Sequence, residues 1–154
     1  MLKNAIGLIG WLSLTFAAAW LGARHMPGEW YASLAKPSWN PPNAIFGPVW
    51  TMLYVLMAVA AWFVWRQAGF SGAGLALGLF IVQLVLNALW SYLFFGLHRP
   101  DLAFFDIVIL WTMIVVVALL FWRACPVSGA LLLPYLAWVS FASCLNFVLW
   151  RMNT

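Results

Sequence analysis

Charge is what this chain has least of. Only 6% of its 154 residues are Asp, Glu, Lys or Arg, against about a quarter in an ordinary soluble domain. A soluble fold of this size is excluded. Three acids, two histidines and two cysteines are scattered along the chain, and they supply no general acid-base pair, activated nucleophile or metal cluster. Cys125 and Cys144 have 18 residues between them and neither CxxC nor Cys/His spacing, which indicates neither a zinc site nor a disulfide framework. The seven Lys and Arg give a net charge of +4 but form no basic run that could track a phosphate backbone. Nucleic acid is therefore not an expected partner.

What is present is apolar: 67% of residues are hydrophobic and the mean hydropathy is +1.01. A membrane-crossing helix needs roughly 20 apolar residues, so the chain divides into five spans and little else. The expected architecture is all-α, a polytopic five-helix membrane bundle forming one domain over 1–154. Its spans are expected near 5–23, 45–65, 75–96, 102–122 and 129–150. The first run is longer than the roughly 7–15-residue apolar region of a signal peptide and is read as a retained span. Five helices do not split into the two equal halves of an inverted-repeat transporter. The cations give no orientation: Lys3, Arg66 and Arg123 would face one side, Arg24, Lys36, Arg99 and Arg151 the other, a near tie under the positive-inside rule.

Between the first two spans, residues 26–43 are less apolar and carry Pro27, Gly28, Pro37, Pro41 and Pro42, which forbid a continuous helix. Glu29 to Ala35 has room for a turn or two of helix. The stretch is read as a lid over a membrane-embedded pocket. Pro48 falls near the first turn of the second span, where it costs least. Gln67 to Gly74 is expected to be a glycine-rich turn, and Pro134 is expected inside the fifth span.

Polar groups inside spans are the most informative residues, because hydrocarbon offers them no water. Gln83, Asn87 and Trp90 fall at i, i+4 and i+7 and so share one helical face. They either bind helices together or meet a ligand. Asn146 has the same two readings. Asp106 lies one turn inside the fourth span, as an interfacial carboxylate near a helix start or a proton-handling group, with Arg99 or Arg24 as its available cation. Trp138, Ala142 and Leu145 share another face, with the small Ala142 leaving space beside an indole.

Twelve tryptophans exceed what interfacial belts require. Trp11, Trp62, Trp65, Trp122 and Trp150 sit near span ends and are assigned to belts. Trp39, Trp50, Trp90 and Trp138 remain, flat rings with an N–H handle suited to a flat, partly polar aromatic ligand. Gly74 and Gly78 form a GxxxG spacing that can bring two helices close.

These residues carry a larger pattern. WYxxLxKPxWxPP at Trp30 to Pro42, FGPVWxxLY at Phe46 to Tyr54, QLxLNxxWSxxFFG at Gln83 to Gly96, Asp106, and PYLAWxxFAxxLN at Pro134 to Asn146 together resemble the translocator protein family. That family is also called tryptophan-rich sensory protein and peripheral benzodiazepine receptor, and the match covers nearly the whole chain. The resemblance implies a five-helix bundle whose first loop covers a pocket, usually as a homodimer, in bacterial membranes or the outer mitochondrial membrane; a bacterial membrane is expected here. It implies porphyrin or haem as ligand, with no required cofactor and no metal ligand set. Carried over by motif, the ligand-binding positions are Trp39, Asn40, Trp50, Tyr54, Gln83, Asn87, Trp90, Leu110, Trp138, Ala142 and Leu145. Trp50 and Trp138 match the pair associated in bacterial members with light-dependent porphyrin breakdown.

The chain departs from the animal members in two places. Phe147 stands where their cholesterol motif has a tyrosine before the terminal Arg, and Leu102 where they tend to carry an aromatic residue. Three functions follow: binding and sensing of tetrapyrroles, light-dependent porphyrin degradation through Trp50 and Trp138, and transport of porphyrins or lipids. The expected partners are a tetrapyrrole, membrane lipid, and a second copy of the chain through the Gly74/Gly78 face.

Overall fold

A computed structural model describes residues 2–154. It is built of helices alone among those residues: α1 (Leu2–Ala23), α2 (Glu29–Ser33), α3 (Asn43–Ser91) continued by a π turn (Tyr92–Gly96), α4 (Pro100–Ala124), α5 (Pro126–Leu131) and α6 (Leu133–Met152). At 1.5 Å per residue α1 is about 33 Å long, close to the roughly 30 Å of a bilayer's hydrocarbon core. Only Trp11, Thr15 and Gly22 of its 22 residues are buried. Leu12, Ala18 and Ala19 pack against the core, and exposed apolar residues such as Leu2, Ile6, Ile9 and Leu21 are left to face lipid.

Helix α3 has 49 residues and would run about 74 Å if straight, more than twice the hydrocarbon core. It does not run straight. Gly69 breaks it with φ 62° and ψ −174°, a combination essentially restricted to glycine, and Ala73 leaves helical geometry at φ −130°, ψ 21°. The arms 43–68 and 74–91 fold back on each other: Tyr54 bonds to Asn87 and Gln83 reaches Met57, pairs centred near residue 70. Two spans are thus made from one long helical stretch, and with α1, α4 and the α5–α6 unit the bundle has five. The turn expected across Gln67 to Gly74 is therefore mostly helical, with its reversal concentrated at two residues.

Proline sets the other boundaries. The first arm begins at Asn43, so Pro48 lies inside the helix rather than at its opening turn. Pro134, expected inside the fifth span, instead sits in the first turn of α6. Its ring clashes with a helical carbonyl four residues earlier and it donates no bond, which is why α5 ends at Leu131 and the chain restarts.

The core is built on the first arm of α3, where Met57, Ala58, Ala60, Ala61 and Val64 are completely buried. Three alanines let neighbouring helices approach closely. Leu77 and Phe80 of the second arm, and Ile107, Leu110, Ile114, Val117 and Phe121 of α4, close around them. Trp11 is buried in this core, 5.8 Å edge-on to Phe80; it is not the belt residue its place near a span end implies. Hydropathy and length make these helices membrane spans, and the protein is an integral, multi-pass membrane protein.

Candidate ligand pocket

A cavity of about 420 Å³ opens at the lid end of the bundle. Its walls come from every layer around it: Phe16, Ala19 and Trp20 of α1; Phe46, Trp50 and Tyr54 of the first arm; Asn87, Trp90, Phe94 and Phe95 at the end of α3 and in the π turn; and Trp138, Phe141, Ala142, Leu145 and Asn146 of α6. His25, Met26, Pro27 and Tyr31 of the lid segment complete it. No Asp, Glu, Lys or Arg lines the space. Its volume falls within the range usual for small-molecule sites.

The floor is a directed hydrogen-bond chain. Tyr54 donates to the Asn87 carbonyl oxygen, the Asn87 amide donates to the Tyr135 hydroxyl at 3.0 Å, and Tyr135 donates to Gln83 Oε1 at 2.8 Å. The Gln83 amide then points at Met57 Sδ, 3.8 Å away. Four polar side chains inside a membrane bundle are thereby satisfied by one another, as burial without water demands. A second tie holds the wall: Trp90 Nε1 donates to Asn146 Oδ1 at 2.9 Å and the Asn146 amide to the Pro100 carbonyl at 2.8 Å.

The lid is fastened at several points. Tyr31 is buried and donates to Asn40 Oδ1 at 3.1 Å; burial raises its phenol pKa above the usual tyrosine range, while the bond to Asn40 opposes the shift. Trp30 stacks on His98 at 4.4 Å, and Trp39 meets Phe141 edge-on at 5.8 Å. Asn153 at the end of α6 bonds to both backbone groups of Ala35. The lid is a packed layer.

Of the positions singled out in the sequence, Trp50, Tyr54, Asn87, Trp90, Trp138, Ala142 and Leu145 line the cavity. The other four do not. Gln83 is buried beneath the floor and Leu110 in the α4 core; Asn40 holds the lid, and Trp39 lies on its outer side, 47% exposed. Trp90 cannot offer its N–H to a ligand without releasing Asn146, whereas the indole N–H groups of Trp50 and Trp138 bond to none of the described residues. Asp106 is buried with Oδ2 unpartnered and does not line the cavity. Arg99, one cation expected to be available to it, pairs instead with Asp101 at 2.6 Å.

Several residues of the wall and of the hydrogen-bond chain under it have no signal of these roles in their local sequence. Phe16, Ala19 and Trp20 lie in a run that reads only as a generic span. Tyr135 bridges two amides that recur at helical spacing, and a tyrosine next to a proline gives no hint of that. His25 follows a cation at a span end, where a polar residue is unremarkable.

The sequence pattern of the TspO/MBR family matches residues 7–151. The chain belongs to that family. Protein CrtK of Rhodobacter capsulatus is 43% identical over 136 residues, covering 86% of this chain and 83% of that protein. The tryptophan-rich protein TspO of Chlorobaculum tepidum is 40% identical across 99% of both chains. The Homo sapiens translocator protein is 38% identical over 86% of this chain and 82% of its own. Relatives from bacteria to mammals thus align with this TspO/MBR chain over 86% of it or more.

Proposed function

We propose that this protein binds a tetrapyrrole in the lidded cavity and acts as a sensing or carrying protein for it. The observation that carries the reading is the cavity wall itself, an aromatic slot with no Asp, Glu, Lys or Arg among its described lining residues and two indoles, Trp50 and Trp138, whose N–H groups bond to none of the described residues. A porphyrin is flat, aromatic and polar at its edge, and rings of this kind stack on it and bond to it. Its carboxylates need cations at the rim. Arg24 lies 5.2 Å from the Trp20 ring and Lys36 4.8 Å from the Tyr31 ring, and both rings line the cavity.

The test is quenching of tryptophan fluorescence by protoporphyrin in detergent-solubilised protein, with Trp50→Phe and Trp138→Phe beside the wild type. Weaker binding in each and loss in the double variant are expected. Unchanged affinity in the double variant removes the site.

Light-dependent porphyrin breakdown is the second reading, favoured by the Trp50 ring lying 5.7 Å from Tyr54 and 6.2 Å from Tyr135. These are oxidisable rings beside the cavity. Illumination under oxygen should then give a defined product at more than one turnover per protein. A mixture identical to that from porphyrin in detergent alone rejects it. Two copies of the chain pair, on this same reading, through the face carrying Gly74 and Gly78.

A further inference from the structure

The chain has two histidines, and only one of them, His25, lines the cavity. Its imidazole has a built seat. An added Cβ at Gly96 would stand 2.7 Å from His25 Cδ2, so the absence of a side chain in the π turn makes room for the ring. Tyr92 of the same turn meets it edge-on at 5.1 Å. The ring is held by packing and makes no hydrogen bond to any described residue. Nδ1 is enclosed without a partner, and Nε2 also bonds to no described residue but is not enclosed. A fixed polar ring with both nitrogens unsatisfied calls for an explanation, and a clamped imidazole on a pocket wall has the chemistry of a metal ligand.

We infer that His25 is an axial ligand to the iron of a bound haem, through Nε2, so that the pocket distinguishes haem from metal-free porphyrin. The inference rests on the tetrapyrrole reading above and adds to it the metal. Imidazole is a common axial ligand of haem iron. Nε2, on a ring that lines the cavity and left open and unbonded there, fits that group, and a metal-free ring would leave it unused. The other ligating groups at the wall are the Met26 thioether and the Tyr31 and Tyr54 phenols. Both phenols already donate to asparagines. His98 is stacked on Trp30 outside the cavity wall.

The experiment is a ferric haem titration of the full chain, read by the Soret band and by magnetic circular dichroism, on wild type, His25→Ala, Met26→Leu and His98→Ala. Metal-free protoporphyrin binding is measured in parallel by fluorescence quenching. The expected result is an imidazole-ligated spectrum in wild type, Met26→Leu and His98→Ala, its loss in His25→Ala with protoporphyrin binding retained, and its return when free imidazole is added. A His25→Ala spectrum identical to wild type overturns the inference. So does a folded His25→Ala variant that loses protoporphyrin as well and is not rescued by imidazole, which makes His25 wall packing only. Failure of the wild type to bind protoporphyrin sinks the pocket reading and this one with it. Protoporphyrin binding without an imidazole-ligated haem spectrum in wild type sinks this one alone.

Discussion

Asn153, one residue beyond α6, holds the backbone of Ala35 from both sides: its Oδ1 accepts from the Ala35 N–H at 2.9 Å and its Nδ2 donates to the Ala35 carbonyl at 3.0 Å. The contact joins the lid to the far end of the chain, next to the cavity wall formed by α6. It resembles the pairing of a strand edge by a side-chain amide.

Replacing Asn153 with Ala is expected to loosen the lid without touching the cavity. Two neutral hydrogen bonds contribute about 1 kcal/mol each, so amide exchange across residues 29–40 should quicken roughly tenfold to thirtyfold. Exchange mass spectrometry reads this directly. Bound protoporphyrin should also leave faster, with little change in arrival, since closure acts mainly on release. Identical lid exchange in the variant shows that the aromatic contacts of Trp30, Tyr31 and Trp39 hold the lid alone.

Tyr135 makes a second, deeper prediction. Tyr135→Phe keeps the ring but strands Gln83 Oε1 and one Asn87 donor. Hydrogen bonds between membrane helices average about 0.6 kcal/mol and reach about 1.7. The loss of two should therefore cost about 1–3 kcal/mol of stability, read as a lower thermal midpoint in detergent. Adding Gln83→Leu should recover part of that loss, because the glutamine is then no longer an unpaired buried group. If the double variant is less stable than Tyr135→Phe, Gln83 contributes by shape and not through its bond to Tyr135.

Gly69 carries the reversal of α3, and Gly69→Ala should cost about 1–3 kcal/mol or more, because its φ/ψ region is strained for any side chain. Gly10→Ala is the matched control: a Cβ there meets nothing within 4 Å, and alanine favours helix over glycine by about 1 kcal/mol. Yield of folded monodisperse protein and thermal midpoint should fall for the first and hold or rise for the second. Equal behaviour of the two would mean that Ala73 alone can turn the chain.

The spans were legible because hydropathy reports burial in lipid residue by residue, and the lid because its prolines forbid a helix. Their joints were less so. Gly69, Gly72 and Gly74 look alike in sequence, yet one of them has the backbone angles that reverse the chain, and those depend on which side chains of the two arms meet. Pro134 reads equally well as a kink or as a helix start; the choice lies in how α5 packs on the end of α4, where Gly129 sits against Trp122. At the pocket and beneath its floor, the shared face of Gln83, Asn87 and Trp90 was legible from its spacing. Which of them keeps a free donor was not, because the partners, Tyr135 and Asn146, come from another helix and lie 48 and 56 residues away from Asn87 and Trp90.

The Gly74/Gly78 face bears on assembly. An added Cβ at either glycine meets no atom within 4 Å, so neither is small to admit a helix of its own chain. Val82, Val85 and Leu89 continue the same side of the second arm, each 39–62% exposed. In a bilayer, burying such a stripe against lipid or against a second copy differs little in hydrophobic terms, and close packing between backbones decides. Gly74→Leu with Gly78→Leu should therefore leave the fold and the cavity intact while removing the close approach. Light scattering in mild detergent and cross-linking in membranes are expected to report dimer for wild type and monomer for the double variant, at unchanged thermal midpoint of the protomer. A dimer that survives both substitutions puts the contact on another face, with the largely lipid-facing α1 the next to test.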